Sequence, residues 1–323
     1  MESAQQQRTV YPSPPAKIIL WSTPRSLSTV IEKCLSYVPN SVIWHEPFVS
    51  AMWFGKDRRF LPIAEAVGKV NSHVSEDKDQ EALGKMDSNV SQDHDVNDVA
   101  EEVSLPEGVG YDETLSSYSW CKEQLEADYP DKRLVFAKDI SSAVCTRFEH
   151  IPDGYTHSFL IRHPMKMLPS WKKLVSAVVG RDVKMTDMPE SALPRGCFFK
   201  ESYDLLRHVR EHLDSNPVII DADDLLSNPR GMLKAYCEAV GIPYNGDLLH
   251  WESGDDITHT WMTPRRLLRA HNIIGCYKDA FNSTQFNRPG RMPSRNDLTE
   301  DELHCVDKIM PYYEEMYDQR LIC

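Results

Sequence analysis

Short runs of consecutive apolar residues alternate along this chain with longer segments whose apolar residues recur every three or four positions. Lys17–Trp21 (K-I-I-L-W) is β-branched and aromatic, the pattern of a buried strand. A turn at T-P-R-S follows, and Ser28–Val38 then sets Val30, Ile31, Cys34, Leu35 and Val38 at helical spacing. The alternation recurs. Ser41–Trp44, Leu134–Ala137, Ser158–Ile161 and Val218–Asp221 read as strands, and the fourth strand leads into a helix face of Leu168, Trp171, Val175 and Val178. Asn228 and Pro229 open a further helix with Met232, Leu233, Tyr236 and Val240 facing inward and Gly241 at its stop. Near the end, Thr299 and Glu302 form a capping box ahead of Leu303, Val306 and Met310. Strands alternating with helices predict an α/β fold, a mainly parallel central sheet flanked by helices.

Charge changes this picture in one place. Between Glu76 and Glu113 there are 13 acidic residues against 2 basic ones, so most of the chain's net charge of −13 sits there and the rest is close to neutral. With few large apolar residues, the segment at about 70–112 reads as an acidic insertion, a solvated excursion or a lid, within a single domain spanning 17–323. Residues 1–16, rich in Gln and Pro, read as a loose tail. The acidic balance argues against a nucleic-acid partner. No stretch approaches the roughly 18 apolar residues of a membrane span, and no basic start precedes an apolar core, so a cytoplasmic protein with no membrane partner is expected. The eight cysteines form no C-x-x-C pair, which encodes neither a zinc knuckle nor a disulfide framework; reduced, mostly buried thiols are expected.

In a parallel sheet, ligands gather at the carboxyl ends of strands, where helix N-termini offer free N–H groups to anions. After the first strand come Thr23-Pro24-Arg25-Ser26-Leu27-Ser28-Thr29, whose amides, hydroxyls and single cation can cradle a phosphate or sulfate. This is no Walker A loop, which needs two glycines and a lysine. After the fourth strand, F-L-I-R-H-P-M-K-M-L-P-S-W puts Arg162 at the strand end and Ser170 eight residues on. With P-V-I-I-D-A-D-D-L-L-S-N-P and the later G-I-P, these stretches make the chain resemble the sulfotransferases that use 3′-phosphoadenosine 5′-phosphosulfate (PAPS). The resemblance implies a P-loop-NTPase-like sulfotransferase architecture. It implies a 5′-phosphosulfate site at Arg25, Ser26, Leu27, Ser28 and Thr29, a 3′-phosphate site at Arg162 and Ser170, and a nucleotide-enclosing clamp around Arg288. Leu27 stands where that family usually has glycine.

Such a site moves a sulfuryl group from PAPS to an acceptor hydroxyl or amine and releases 3′,5′-ADP (PAP). The leaving oxygen needs cations and the acceptor needs a base. Arg25 and Lys138, the latter ending L-V-F-A-K-D, are the candidate cations, which makes a metal unnecessary. The second strand ends W-H-E-P-F, offering Glu46 and, second to it, His45 as the base, with Trp44, Pro47 and Phe48 expected to raise the Glu46 pKa. Phe48, Trp53, Phe54, Tyr118, Trp120, Phe198 and Phe199 are candidates for an aromatic pocket around a small-molecule acceptor. Two other readings stay open: a nucleotide kinase or NTPase with Val218–Asp221 as its magnesium strand, and a non-catalytic nucleotide-binding relative.

Overall fold

The alternation of runs builds a six-stranded sheet with every pairing parallel. A computed structural model describes residues 14–58 and 110–323. Strands β1 (Ala16–Ser22), β2 (Ser41–His45), β3 (Leu134–Ile140), β4 (Thr156–Ile161), β5 (Val218–Asp221) and β6 (Trp261–Met262) lie in the order β5-β4-β1-β3-β2-β6. The first five grow from the apolar runs. The edge strand β6, only two residues long, is too short to leave a pattern and pairs with Ile43 and Trp44. Central β1 has β3 on one side and β4 on the other, so the chain leaves it in opposite directions and opens a crevice at its carboxyl end.

Both faces of the sheet are covered, and this is why the strands read as continuous apolar runs. On one face Ile18, Leu20, Ile43 and Phe136 pack against helices α1 (Ser28–Leu35), α6 (Ala222–Ser227) and α7 (Pro229–Val240), with Phe281 of the short α9 (Lys278–Asn282). On the other, Ile19, Trp21, Trp44 and Ala137 meet α2 (Pro47–Phe54), α3 (Tyr118–Glu126), α4 (Pro164–Val179), α5 (Phe199–His212) and α10 (Glu300–Tyr317). Helix α8 (Arg265–Ile274) contributes Leu267 to one cluster and Leu268 to the other. The expected caps are in place: Asn228 accepts from the Gly231 amide at 3.1 Å, and Thr299 and Glu302 close their capping box.

Residues 1–13 of the expected tail and 59–109, most of the expected insertion, lie outside the described residues. Two boundaries are corrected. Ala16, assigned to the tail, already belongs to β1 and donates to Arg133 O at 3.0 Å, and Tyr111, assigned to the insertion, is buried against Trp44 and Trp120 with its amide donating to Thr263 O at 3.2 Å. A single aromatic ring outweighs the acidic residues around it because its apolar area is large. All eight cysteines are free thiols, five of them buried.

Helix α1, which follows the candidate anion loop, is anchored by a buried lysine. Lys33 Nζ donates to the carbonyls of Phe281 at 3.0 Å, Gly254 at 3.1 Å and Ser283 at 3.3 Å. Burial lowers its pKa. Lys33→Met keeps the chain length but leaves these carbonyls without their donor, so a loss of about 1–3 kcal/mol is expected from urea unfolding. An unchanged midpoint would show that water replaces the ammonium without cost.

Candidate active site

The loop after β1 tightens on itself before α1 begins. Ser26 Oγ donates to Thr23 O at 2.6 Å, and Arg25 and Leu27 adopt left-handed backbone conformations with φ of 61° and 73°. Leu27 therefore holds the conformation that the expected glycine would take without steric cost, at a penalty of roughly 1–2 kcal/mol. The first-turn amides of Ser28 and Thr29 have no carbonyl four residues back to bind, which leaves them free for an anion. Arg25, Leu27, Ser28 and Thr29 border one large cavity. Ser26 does not border it; its hydroxyl is spent on the turn.

Arg162 and Ser170 meet this loop directly. Arg25 Nε donates to Ser170 Oγ at 3.1 Å and Arg25 NH1 to Cys276 O at 2.6 Å, while Arg162 NH1 donates to Arg25 O at 2.8 Å. Arg25 thus stands with Ser170 and Arg162. Arg162 Nε is buried without a partner, as is Thr23 Oγ1. An unpaired guanidinium N–H beside a second arginine is the donor set an anion completes. Burial lowers the Arg162 pKa, opposed by Asp223. Lys166 borders the cavity too, tied to Asp223 Oδ1 at 2.9 Å and Gly290 O at 2.8 Å, and exposed Arg288 lines it nearby.

A second cluster stands at the ends of β2 and β3. His45 and Lys138 are register partners, and both side chains fall on the α1 face of the sheet. Lys138 Nζ donates to Glu46 Oε1 at 2.5 Å, and the Tyr277 hydroxyl donates to the same oxygen at 2.7 Å. Glu46 Oε2 has His271 Nε2 at 3.7 Å and His45 Nε2 at 4.0 Å. His45 Nδ1 donates to Glu32 Oε2 at 2.8 Å, and Glu32 lies 3.8 Å from Lys138 Nζ. Lys138, Glu46 and Glu32 are all buried. Asp139 turns to the other face and accepts from the Phe48 amide at 2.6 Å.

The electrostatics overturn one expectation. Burial alone would raise the Glu46 carboxyl, but the Lys138 ammonium and the imidazoles of His45 and His271 hold it well below the usual carboxylate range. Burial likewise opposes the Lys138 charge, yet Glu46 and Glu32 raise its pKa above the ordinary value. Burial pushes His271 down to about 3, against the pull of Glu46, so it is neutral at pH 7. His45 is wholly buried and absent from the cavity wall, and its Nε2 has no hydrogen-bond partner. His45, Glu46 and His271 bring ligand-type atoms within 4.8 Å of one another, a trio that chain spacing does not reveal. The Lys138 ammonium already supplies the cation that balances Glu46.

Both clusters open into a single cavity of about 770 Å³. Glu46, Lys138, His271 and Tyr277 border it between the loop residues and an apolar wall of Val49, Met52, Trp53, Trp171, Leu174 and Phe198. Of the aromatic residues expected around an acceptor, Trp53 and Phe198 are there. Phe48, Tyr118 and Phe199 are fully buried core, and Phe54 and Trp120 pack on that core away from the cavity. Asp221, the residue that a magnesium strand would use, instead caps α6 through the Asp223 and Asp224 amides at 2.8 and 3.2 Å. Sequence reading missed Glu32, His271 and Tyr277. The E-K doublet inside the wholly buried α1 was a usable signal for the first; H-N-I-I-G-C-Y carries no motif for the other two.

Comparison with known proteins bears on this site. A family model described as "Sulfotransferase domain" matches residues 208–320, from within α5 through α10. That stretch contains His271, Tyr277 and Arg288 and lies outside the anion loop, Glu46, Lys138 and Arg162. Among curated relatives, the Arabidopsis thaliana "Branched-chain-amino-acid aminotransferase-like protein 1" is 26% identical over 161 residues, 49% of this chain and 23% of that protein. "Sulfotransferase ppzF" of Metarhizium rileyi (strain RCEF 4871) is 29% identical over 102 residues, 29% of this chain and 30% of that one. The chain thus spans less than a third of the length of these relatives. A solved structure titled "Sulfotransferase Domain from the Synechococcus PCC 7002 Olefin Synthase" aligns over 95% of this chain and 98% of its own at 15% identity, with a TM-score of 0.41. Among the described residues no helix is long and apolar enough to cross a membrane. Over residues 208–320, the chain is thus similar to the sulfotransferase-domain family.

Proposed function

We propose that the protein transfers a sulfuryl group from PAPS to a hydroxyl of a small acceptor with an apolar body. The observation that carries this reading is the opening of two clusters into one cavity: an anion cluster of Arg25, Arg162 and Ser170, and a buried Lys138–Glu46 pair. Arg162, with its unpaired Nε, and Ser170 hold the 3′-phosphate, with Arg25 bridging them to the first-turn amides of α1 that take the 5′-phosphate. Arg288 and Lys166 lie along the same wall. Lys138 donates to the sulfuryl oxygens and stabilises charge on the departing phosphate oxygen. As the sulfur–oxygen bond to the phosphate breaks, a bond from sulfur to the acceptor oxygen forms, and the acceptor proton goes to Glu46. When Lys138 turns from Glu46 to the sulfuryl oxygens, the carboxylate loses its main cation, and burial then raises its basicity. The NTPase reading loses its support with Asp221 occupied as a helix cap.

Thermal-shift titration tests the donor. Ligand binding to the folded state raises the melting temperature by mass action, so PAP should stabilise the protein far more than 5′-AMP, without magnesium. Arg162→Ala removes a charged donor worth ~1.5–3 kcal/mol and should weaken PAP about tenfold or more. Equal stabilisation by AMP and PAP would overturn the donor assignment. Incubation with PAPS and a phenol panel, read by mass spectrometry for the sulfate ester, tests the transfer.

A further inference from the structure

The apolar wall of the cavity carries a carboxylate that the transfer chemistry does not use. Glu201, in the first turn of α5, borders the cavity together with Trp53, Trp171 and Phe198 and is only 8% exposed. Trp171 and Phe198 meet edge to face with ring centroids 5.3 Å apart. Glu201 Oε1 accepts from the Gly196 amide at 2.8 Å, but Oε2 is buried with no hydrogen-bond partner. The neighbouring cations are engaged elsewhere: Lys200 pairs with Asp204, and exposed Arg195 pairs with Glu190 at 3.5 Å. Burial raises the Glu201 pKa, opposed by its backbone hydrogen bonds and, least, by Lys200.

A buried carboxylate oxygen without a donor is costly, and a bound molecule that brings a donor removes the cost. The surroundings select which donor. Aromatic faces attract a cation, and a carboxylate beside them completes the chemistry that holds an alkylammonium; an anionic group at this end would be repelled. We propose that the acceptor is a hydroxyl compound bearing an amine remote from the accepting oxygen, with its ammonium bound by Glu201 among Trp53, Trp171 and Phe198. This rests on the sulfuryl-transfer reading and names the acceptor class for it. The ammonium nitrogen has no free electron pair while Glu201 holds it, so sulfur is delivered to oxygen only, and the hydroxyl proton still goes to Glu46.

The test measures calorimetric binding to the full chain in the presence of PAP for two matched pairs, tyramine with 4-ethylphenol and 4-(4-aminobutyl)phenol with 4-butylphenol. At pH 7 at least one amine should bind about tenfold tighter or more than its deaminated partner, the size of a charge-assisted hydrogen bond. N-acetyltyramine, of similar shape but uncharged, should show no advantage over 4-ethylphenol. Glu201→Gln keeps a carbonyl oxygen for the Gly196 amide and should bring the amine preference close to one. No amine preference in the wild-type protein, an equal advantage for N-acetyltyramine, or a preference that survives in Glu201→Gln would each overturn the proposal. The wild-type arms stand alone if the variant does not fold. Because binding is read without turnover, an amine preference with no sulfate ester formed from PAPS counts against the transfer reading and leaves the subsite intact. Sulfate ester with no amine preference counts against the subsite alone.

Discussion

Lys138→Met should lower folding stability by about 3–5 kcal/mol at pH 7, the usual consequence of removing one partner from a buried ion pair. Lys138 is fully buried, donates to Glu46 at 2.5 Å and lies 3.8 Å from Glu32. Without its ammonium, Glu46 after β2 and Glu32 on α1 lose the cation that both of them face. On the fraction that folds, turnover should fall by about 10²–10³, because a preorganised charge at the leaving group is lost. The double variant Lys138→Met, Glu46→Gln separates the two effects. Removing both charges should recover part of the stability, as urea midpoints will show, while turnover stays low. If the two single losses simply add in the double variant, the pair is not coupled as described.

How much of this was legible in the sequence depends on how far each feature reaches along the chain. The strands from Ala16 to Asp221 and the caps at Asn228 and Thr299 are local devices, so spacing alone reveals them. The anion loop was legible for the same reason, and even Leu27, chemically unlike glycine, sits at the φ of 73° that the turn demands. What was not legible is what side chains do to one another across the sheet. Trp44, Pro47 and Phe48 flank Glu46 in sequence, and burial among them does oppose its charge. The deciding neighbour is Lys138, 92 positions away. Cations at such separations leave no local trace, and so the expected upward shift of Glu46 came out downward. The burial of His45 was hidden for a related reason: period-two alternation puts it on the α1 face with Phe136 and Lys138, but only the packing of Glu32 and Trp261 against that face shuts it away from the cavity.

Glu46→Gln preserves the shape of the side chain and removes its basicity, so turnover should fall by about 10²–10⁴ while PAP affinity is kept. The same substitution has a pH signature whose sign follows from the depressed pKa. A carboxyl held below its ordinary value of 4.5 contributes stability that is fully present above that value and is lost as the pH falls through the folded-state pKa. Wild-type protein should therefore lose its advantage over Glu46→Gln progressively on acidification below about pH 4.5, with the two urea midpoints converging. Turnover adds a second measurement. In the free enzyme Lys138 keeps Glu46 anionic far into the acid range, whereas in the loaded enzyme the ammonium is turned toward the sulfuryl oxygens, so the acid limb of kcat should lie at higher pH than that of kcat/KM for the donor. His45→Asn should cost less than Glu46→Gln, since it disturbs Glu46 without touching the acceptor. If Glu46→Gln turns over normally and His271→Gln is inactive, the proton goes to the imidazole that borders the cavity 3.7 Å from Glu46, and Glu46 serves only to hold Lys138 in place.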